Sequence, residues 1–160
     1  MLLDRRLLRE LQRLADLYDV PPELLEIEIT EGAVVQDPRE ATQVLKQIGA
    51  IGLRVIAIDD FGTGYSSLAR LHELPLDTLK IDQSFVMRMA ADGDTAVVRS
   101  VIDLAHALHL DVIAEGVEDD DTAQRLCELG AEYLQGYHLS RPIPALELEA
   151  WLGERVQAAH

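Results

Sequence analysis

The segment VIAIDDFGTGYSS at residues 55–67 constrains the fold more strongly than any other part of the 160-residue sequence. Its apolar run ends in two adjacent carboxylates, Asp59 and Asp60, and is followed by a glycine-rich loop. This order is typical of parallel α/β proteins, in which the last residues of a strand and the loop after it face the binding crevice. We therefore expect Asp59 and Asp60 to lie where a ligand or metal ion binds.

Similar apolar runs that end on a polar residue recur along the chain. They are LLEIEITE at 24–31, LKID at 79–82, VIAEGVE at 112–118 and YLQGY at 133–137. Stretches with helical period and few helix-breaking residues lie at 38–49, 94–108, 119–129 and 146–156. The alternation predicts an α/β fold built from successive strand and helix units.

The composition predicts one folded domain, because 48% hydrophobic residues supply enough apolar side chains for a core. No apolar run reaches the roughly 18 residues of a membrane helix, and the first residues are charged throughout. The sequence therefore predicts neither a membrane segment nor a secretory signal, and we expect a cytoplasmic protein.

The formal net charge of -15, from 29 acidic and 14 basic residues, argues against duplex nucleic acid as a partner. Affinity for duplex DNA comes largely from Lys and Arg side chains that displace counterions. Most of the acids are expected on solvated helix faces. If those at the strand ends face a phosphate ligand, divalent cations are the natural mediators, because hard cations bind carboxylate and phosphate oxygens together.

One polar side chain near the carboxyl end of each predicted strand is a candidate site residue. These residues are Glu28, Asp59, Lys80, Glu115 and Gln135. Closing a parallel sheet would bring the strand ends around a common axis, where neighbouring carboxylates repel one another unless cations or protons separate them. The alternative is that each group caps the helix after its strand. The number of groups in register favours a metal site.

On a regular strand, Asp60 would lie on the face of the sheet opposite to that of Asp59. If the loop begins at Asp60, its carboxylate can turn back, and two adjacent aspartates can then serve two cations.

His106 and His109 are three residues apart, but no nearby cysteine or carboxylate completes a metal-ligand set. We therefore interpret them as ordinary histidines.

Five motifs together resemble a known family, the EAL-type cyclic-di-GMP phosphodiesterase domain. They are EITE at 28–31, DDFGTGYSSL at 59–68, KID at 80–82, AEGVE at 114–118 and QGYHLSRP at 135–142, in the family's order and at similar spacing. The resemblance implies hydrolysis of one phosphodiester bond of cyclic di-GMP to linear pGpG with two Mg²⁺ or Mn²⁺ ions, as part of bacterial second-messenger signalling.

The resemblance also implies roles for individual residues. Glu28 and Asp59 resemble ligands of the first ion, with Asp59 shared and Asp60 serving the second. Glu31 is similar to the glutamate that steadies the loop starting at Asp60.

The resemblance implies catalytic roles for Lys80 and Glu115 and a substrate-binding or loop-stabilising role for Gln135. Lys80 resembles the lysine that orients the attacking water or screens the phosphate. Glu115 is similar to the carboxylate that binds a water on the metal or accepts its proton. Gln135 resembles the polar group that closes the site.

The chain departs from the family at its start. The family's barrel has roughly 250 residues, and the glutamate of the EAL tripeptide and a later metal-binding asparagine have no counterpart here. The resemblance therefore implies a single truncated EAL domain at 1–160, a partial (β/α)8 TIM-type barrel with about five parallel strands. We expect its open edges to be covered by another copy; an open doubly wound sheet and a piece of a longer protein are the alternatives.

We expect a cyclic-di-GMP phosphodiesterase in the parent protein, with a sensor or GGDEF-type domain as partner, and impaired activity in this fragment alone. The alternative function is a catalytically inactive module for cyclic-di-GMP binding or oligomerisation.

Overall fold

The computed structural model describes residues 5–30, 38–61 and 73–158, with the backbone alone described at 5–7, 38, 54–61 and 154–158. The strands in these ranges are β1 (Glu26–Thr30), β2 (Arg54–Phe61), β3 (Thr78–Ile81), β4 (Asp111–Ala114) and β5 (Tyr133–Leu134). The helices are α1 (Arg5–Tyr18), α2 (Pro38–Ala50), α3 (Gln83–Asp92), α4 (Ala96–Ala107), α5 (Asp120–Leu129) and α6 (Ala145–Ala158), with a short 3-10 helix at Pro22–Leu24. None of the described helices is both long and apolar enough to cross a membrane.

The strands lie side by side in chain order, β1-β2-β3-β4-β5, and every pairing between them is parallel. Parallel connections are right-handed in nearly all proteins, so helices that join strands in unbroken order pack on one face of the sheet. A doubly wound sheet instead reverses its strand order part-way. The order confirms the expected partial barrel with about five parallel strands and contradicts the open doubly wound alternative.

The helix-covered face of the sheet forms the main core. Leu79 and Ile81 of β3, with Val112 and Ala114 of β4, are buried there. They pack with buried residues of α3, α4 and α5, which are Val86, Met89, Val98, Ile102, Ala105 and Leu126. The apolar residues of α4 recur at helical spacing, which directs one stripe of the helix into this core.

Aspartates cap the helices that follow β3 and β4. Asp82 accepts a hydrogen bond of 2.9 Å from a backbone N–H two residues further on, and Asp119 accepts one of 2.7 Å from the backbone N–H of Thr122. The backbone N–H of Thr122, and then its hydroxyl, lower the pKa of the Asp119 carboxyl below its ordinary value. Asp82 and Asp119 therefore cap the helices after these two strands. Lys80 and Glu115 do not have the capping role that was the alternative to a metal site.

Candidate functional site

The sheet face opposite the helices carries the candidate site residues of β1 and β3. Glu28 pairs with Ile56, and Ile56 pairs with Thr78, so the register places all three on one face. Lys80 is two residues after Thr78 and therefore lies on the same face. The alternation thus separates these polar residues from the apolar residues that pack under the helices.

Lys80 joins two of the predicted carboxylates. Its Nζ donates to Glu28 Oε1 at 2.8 Å, and Glu115 Oε1 lies 2.5 Å from the same nitrogen. Glu115 directly follows β4, two residues after Ile113, which is the register partner of Lys80. The Lys80 side chain is only 4% exposed, whereas those of Glu28 and Glu115 are 47% and 18% exposed. A buried cation is therefore held between two carboxylates that reach solvent.

The pKa of Lys80 reflects opposing effects. Burial lowers the pKa of the ammonium group, but the hydrogen bonds and negative charges of Glu115 and Glu28 together outweigh burial and raise the pKa above its ordinary value. Lys80 therefore stays protonated at neutral pH and serves as a fixed positive charge.

This raised pKa predicts a loss of stability at alkaline pH. A group with a higher pKa in the folded chain stabilises fully below its unfolded pKa, about 10.4 for lysine, and the contribution is lost as the pH rises through the folded pKa. The free energy of unfolding, measured by urea titration, should fall above about pH 10.4. This part of the fall should be missing in Lys80→Met and kept in Lys46→Met, which removes the other, exposed lysine. Identical pH profiles for both variants would contradict an ion-paired Lys80.

The ladder between β1 and β2 shifts register just before Asp59. Glu28 pairs with Ile56, but Thr30 pairs with Asp59, so two steps along β1 match three steps along β2. Strict alternation from Ile56 would place Asp59 on the sheet face opposite to that of Glu28. The extra residue in β2 instead places Asp59 beside Thr30, on the same face as Glu28.

A second irregularity lies between β2 and β3. Ala57 pairs with Leu79 and Phe61 pairs with Ile81, so four steps along β2 match two along β3. β2 runs on through Asp60 to Phe61, and the expectation that the loop begins at Asp60 is therefore wrong. The pairing of β2 is irregular with both β1 and β3 at this point. Regular alternation therefore does not require Asp59 and Asp60 to lie on opposite faces of the sheet.

The loops after β4 and β5 pack tightly against each other through backbone contacts. The backbone N–H of Val117 donates to the carbonyl of Gln135 at 3.1 Å. Gly136 lies so near Val117 that an added Cβ would be 2.1 Å from the Val117 carbonyl oxygen. Gly116 has φ +71 and would place a Cβ 2.6 Å from Gln83 Cβ. Glycine is therefore required at both positions.

A pocket of about 300 Å³ opens beside these loops. It is lined by Gln83, Glu115, Gly116, Glu118, Gln135, Gly136 and Tyr137. The guanidinium of Arg141 lies 4.5 Å from the centroid of the Tyr137 ring, a cation–π contact that braces the ring. Gln135 thus reaches the same pocket as Glu115.

Besides the two glycines, sequence reasoning missed three residues that line this pocket. Glu118 and Tyr137 lie inside the AEGVE and QGYHLSRP motifs, so the motifs themselves could have drawn attention to them. Gln83 gave no signal, because it opens helix α3 and reaches the pocket only through the turn after β3.

A family model described as the EAL domain matches residues 1–142. The chain belongs to the EAL domain family.

The curated relatives that this chain matches are much longer than it is. The cyclic di-GMP phosphodiesterase NbdA of Pseudomonas aeruginosa is 44% identical over 129 residues, which are 80% of this chain and 16% of NbdA. The signaling protein YkoW of Bacillus subtilis is 41% identical over 139 residues, which are 86% of this chain and 17% of YkoW. The chain therefore spans less than a fifth of either relative.

Solved EAL structures share its architecture. The PaMucR phosphodiesterase in complex with c-di-GMP superposes with a TM-score of 0.82 at 37% identity, covering 90% of this chain and 58% of that chain. The EAL domain of Mycobacterium smegmatis DcpA gives 0.86 at 39% identity, covering 96% and 68%. A manganese and cyclic-di-GMP complex of Klebsiella pneumoniae BlrP1 gives 0.75 at 30% identity, covering 87% and 36%.

The structure brings together only part of the predicted EAL site. Lys80 contacts both Glu28 and Glu115, and Gln135 lines the same pocket as Glu115. Glu31 lies outside the described residues. For Asp59 and Asp60 the register is described, and their side chains lie outside the description. The roles of all these residues stay predictions.

The donor chemistry of this EAL site suits a hard divalent cation. Glu28 and Glu115 present carboxylate oxygens to one shared point, and such oxygens are the ligands that Mg²⁺ and Mn²⁺ take. Among the side chains that the structure describes, no group of three or more His, Cys, Asp or Glu could hold a metal ion.

Proposed function

We propose that this chain is the catalytic part of a cyclic-di-GMP phosphodiesterase, which hydrolyses one phosphodiester bond of cyclic di-GMP to linear pGpG. The observation that carries the proposal is the contact of Lys80 with Glu28 and Glu115 at the carboxyl ends of parallel strands, beside a pocket that Gln135 also lines. Family membership and the named activity of NbdA give further support.

Glu115 and Lys80 have different roles in the proposed reaction. Glu115 accepts a proton from the attacking water as the bond from its oxygen to phosphorus forms. The bond from phosphorus to the 3′ oxygen breaks, and that oxygen takes up a proton, leaving a 5′-phosphate and a 3′-hydroxyl. Lys80 cannot be the base because its raised pKa keeps it protonated; its charge instead stabilises the negative charge that builds on the phosphate.

Four carboxylates would hold the divalent cations, namely Glu28, Asp59, Asp60 and Glu115. When bound, two Mg²⁺ or Mn²⁺ ions would lower the pKa of water and offset phosphate charge. The contact with Lys80 Nζ, 2.8 Å away, holds the Glu28 carboxylate at the site. We assign Glu31 to steadying the segment that follows β2, and Gln135 to the pocket wall that excludes water.

We also propose that residues 1–160 form one truncated EAL domain. Its relatives are far longer, and the chain spans 58% of the PaMucR chain with which it superposes. A second copy would cover the outer edges of β1 and β5, each of which has one partner strand in the described sheet. In a longer parent protein, a sensor or GGDEF-type domain would regulate the site.

Hydrolysis of cyclic di-GMP by the purified 160-residue chain tests the proposal. With millimolar Mn²⁺ or Mg²⁺, chromatography should show pGpG forming, more slowly than with the PaMucR phosphodiesterase, because the EAL glutamate and the asparagine have no counterpart in these 160 residues. Asp59→Asn should abolish the product, while Asp94→Asn, in the turn before α4, should leave its rate unchanged.

Binding of cyclic di-GMP without any pGpG, in the chain and in a longer natural protein that contains it, would favour the inactive binding module. Neither binding nor turnover would leave oligomerisation as the remaining function.

A further inference from the structure

We infer that Lys80 is a built-in competitor of the divalent cation and thereby sets the metal affinity of the site. Its ammonium group occupies the point shared by Glu28 and Glu115, and metal binding takes at least one of these carboxylates from it. The inference rests on the proposed function, since it takes Glu28 and Glu115 as metal ligands.

The contacts of Lys80 use the oxygen atoms that a metal would need. Nζ is 2.8 Å from Glu28 Oε1, within the range of charge-assisted hydrogen bonds, and closer still, at 2.5 Å, to Glu115 Oε1. Hard divalent cations bind carboxylate oxygens at about 2.0–2.6 Å. A cation bound to both oxygens would lie in the space next to the ammonium group, so the two cations compete for the same ligands.

Electrostatic repulsion makes this competition substantial. A divalent ion a few ångströms from a lysine charge is strongly repelled when solvent is largely excluded. The Lys80 side chain is 4% exposed, and water therefore screens its charge poorly. Lys46, by comparison, is an exposed residue on α2 and should not influence the site.

The same contacts explain how the fold tolerates the site without metal. Glu28 and Glu115 approach one nitrogen atom, so their negative charges are close enough to repel each other. Lys80 neutralises them and keeps both carboxylates in place. The lysine therefore preserves the metal ligands before metal arrives, and weakens the metal's binding when it does.

Calorimetric titration with Mn²⁺ alone tests this inference without substrate. Lys80→Met should bind Mn²⁺ at least about 10-fold more tightly than the wild-type chain, because a repelling charge is removed and the carboxylates are freed. Lys46→Met should match the wild type. If Lys80 only supported the structure, its loss would loosen the ligands and weaken Mn²⁺ binding. Unchanged or weaker binding in a folded Lys80→Met, or in Lys80→Gln if the methionine variant does not fold, overturns the inference.

Nuclear magnetic resonance provides a second test in the wild-type chain. The sequence has two lysines, so ¹⁵N-lysine labelling gives one Nζ signal each for Lys46 and Lys80. Saturating Mg²⁺, which is diamagnetic, should move the Lys80 signal and leave that of Lys46 in place. A Lys80 signal unaffected by Mg²⁺ overturns the competition even if no variant can be purified.

The outcomes separate this inference from the proposed function. Tighter Mn²⁺ binding by Lys80→Met in a chain that never yields pGpG supports the competition and contradicts the phosphodiesterase. Metal-dependent pGpG formation, with no tighter binding by Lys80→Met, supports the phosphodiesterase and contradicts the competition.

Discussion

Gly136→Ala should destabilise the chain by about 3–5 kcal/mol, a larger effect than most single substitutions have. The new Cβ would lie 2.1 Å from the Val117 carbonyl oxygen and 2.3 Å from the Val117 nitrogen, both backbone atoms that cannot rotate away. Separating the two loops would also break the hydrogen bonds from Val117 to Gln135 and from His138 to Val117. Urea unfolding followed by circular dichroism measures the loss.

Two other glycines provide matched controls. Gly93 has φ +72 but nothing within 4 Å of an added Cβ, so Gly93→Ala measures the backbone strain alone, about 1–2 kcal/mol. Gly49 lies in α2 with open space around it, and Gly49→Ala should be neutral or stabilising by up to about 1 kcal/mol. If Gly136→Ala cost no more than Gly93→Ala, the two loops would not be packed as described.

Local patterns predicted most of the fold because each strand and helix is encoded over a few neighbouring residues. The apolar run before Lys80 and the run 112–118 become adjacent strands, and Val98, Ile102 and Ala105 recur at helical spacing on the buried stripe of α4. The contact of Lys80 with Glu115 follows from parallel pairing alone, since their strands are neighbours.

The position of Asp59 could not be predicted in this way. Regular alternation places Asp59 on the same sheet face as Val55 and Ala57, which pair with the apolar residues Ile27 and Leu79. An extra residue in β2 moves Asp59 to the other face. Whether a strand contains such a bulge depends on its pairing with both neighbours, and no short segment of sequence carries that information.

The partner of Glu28 was also not predictable from local sequence. Glu28 and Lys80 are on strands separated by β2, so their 2.8 Å contact spans two strand spacings. Such a distance requires a long side chain, and Lys80 provides one on the sheet face opposite the helices. The sequence predicted that these residues converge and that cations or protons would separate the carboxylates; in the structure, the ammonium group of Lys80 lies between them.

Glu115→Gln should lower the rate of pGpG formation at saturating Mn²⁺ by about 100-fold or more, the range expected when a positioned proton acceptor is lost. Glutamine is nearly isosteric with glutamate and can still accept a hydrogen bond from Lys80, but it carries no charge and cannot take a proton from water. Single-turnover hydrolysis measured by chromatography isolates the chemical step from product release.

The same substitution also tests whether Glu115 acts on the reaction or only holds Lys80. A purely structural role would appear as a lower free energy of unfolding with a rate that recovers at lower temperature, where the variant is folded. Glu147→Gln, an exposed position on α6, controls for the loss of one negative charge and should keep the wild-type rate. A folded Glu115→Gln that retains more than a third of the wild-type rate would remove Glu115 from the chemistry. The proton would then have to pass to another group that lines the pocket, and Glu118 is the remaining carboxylate among the described lining residues.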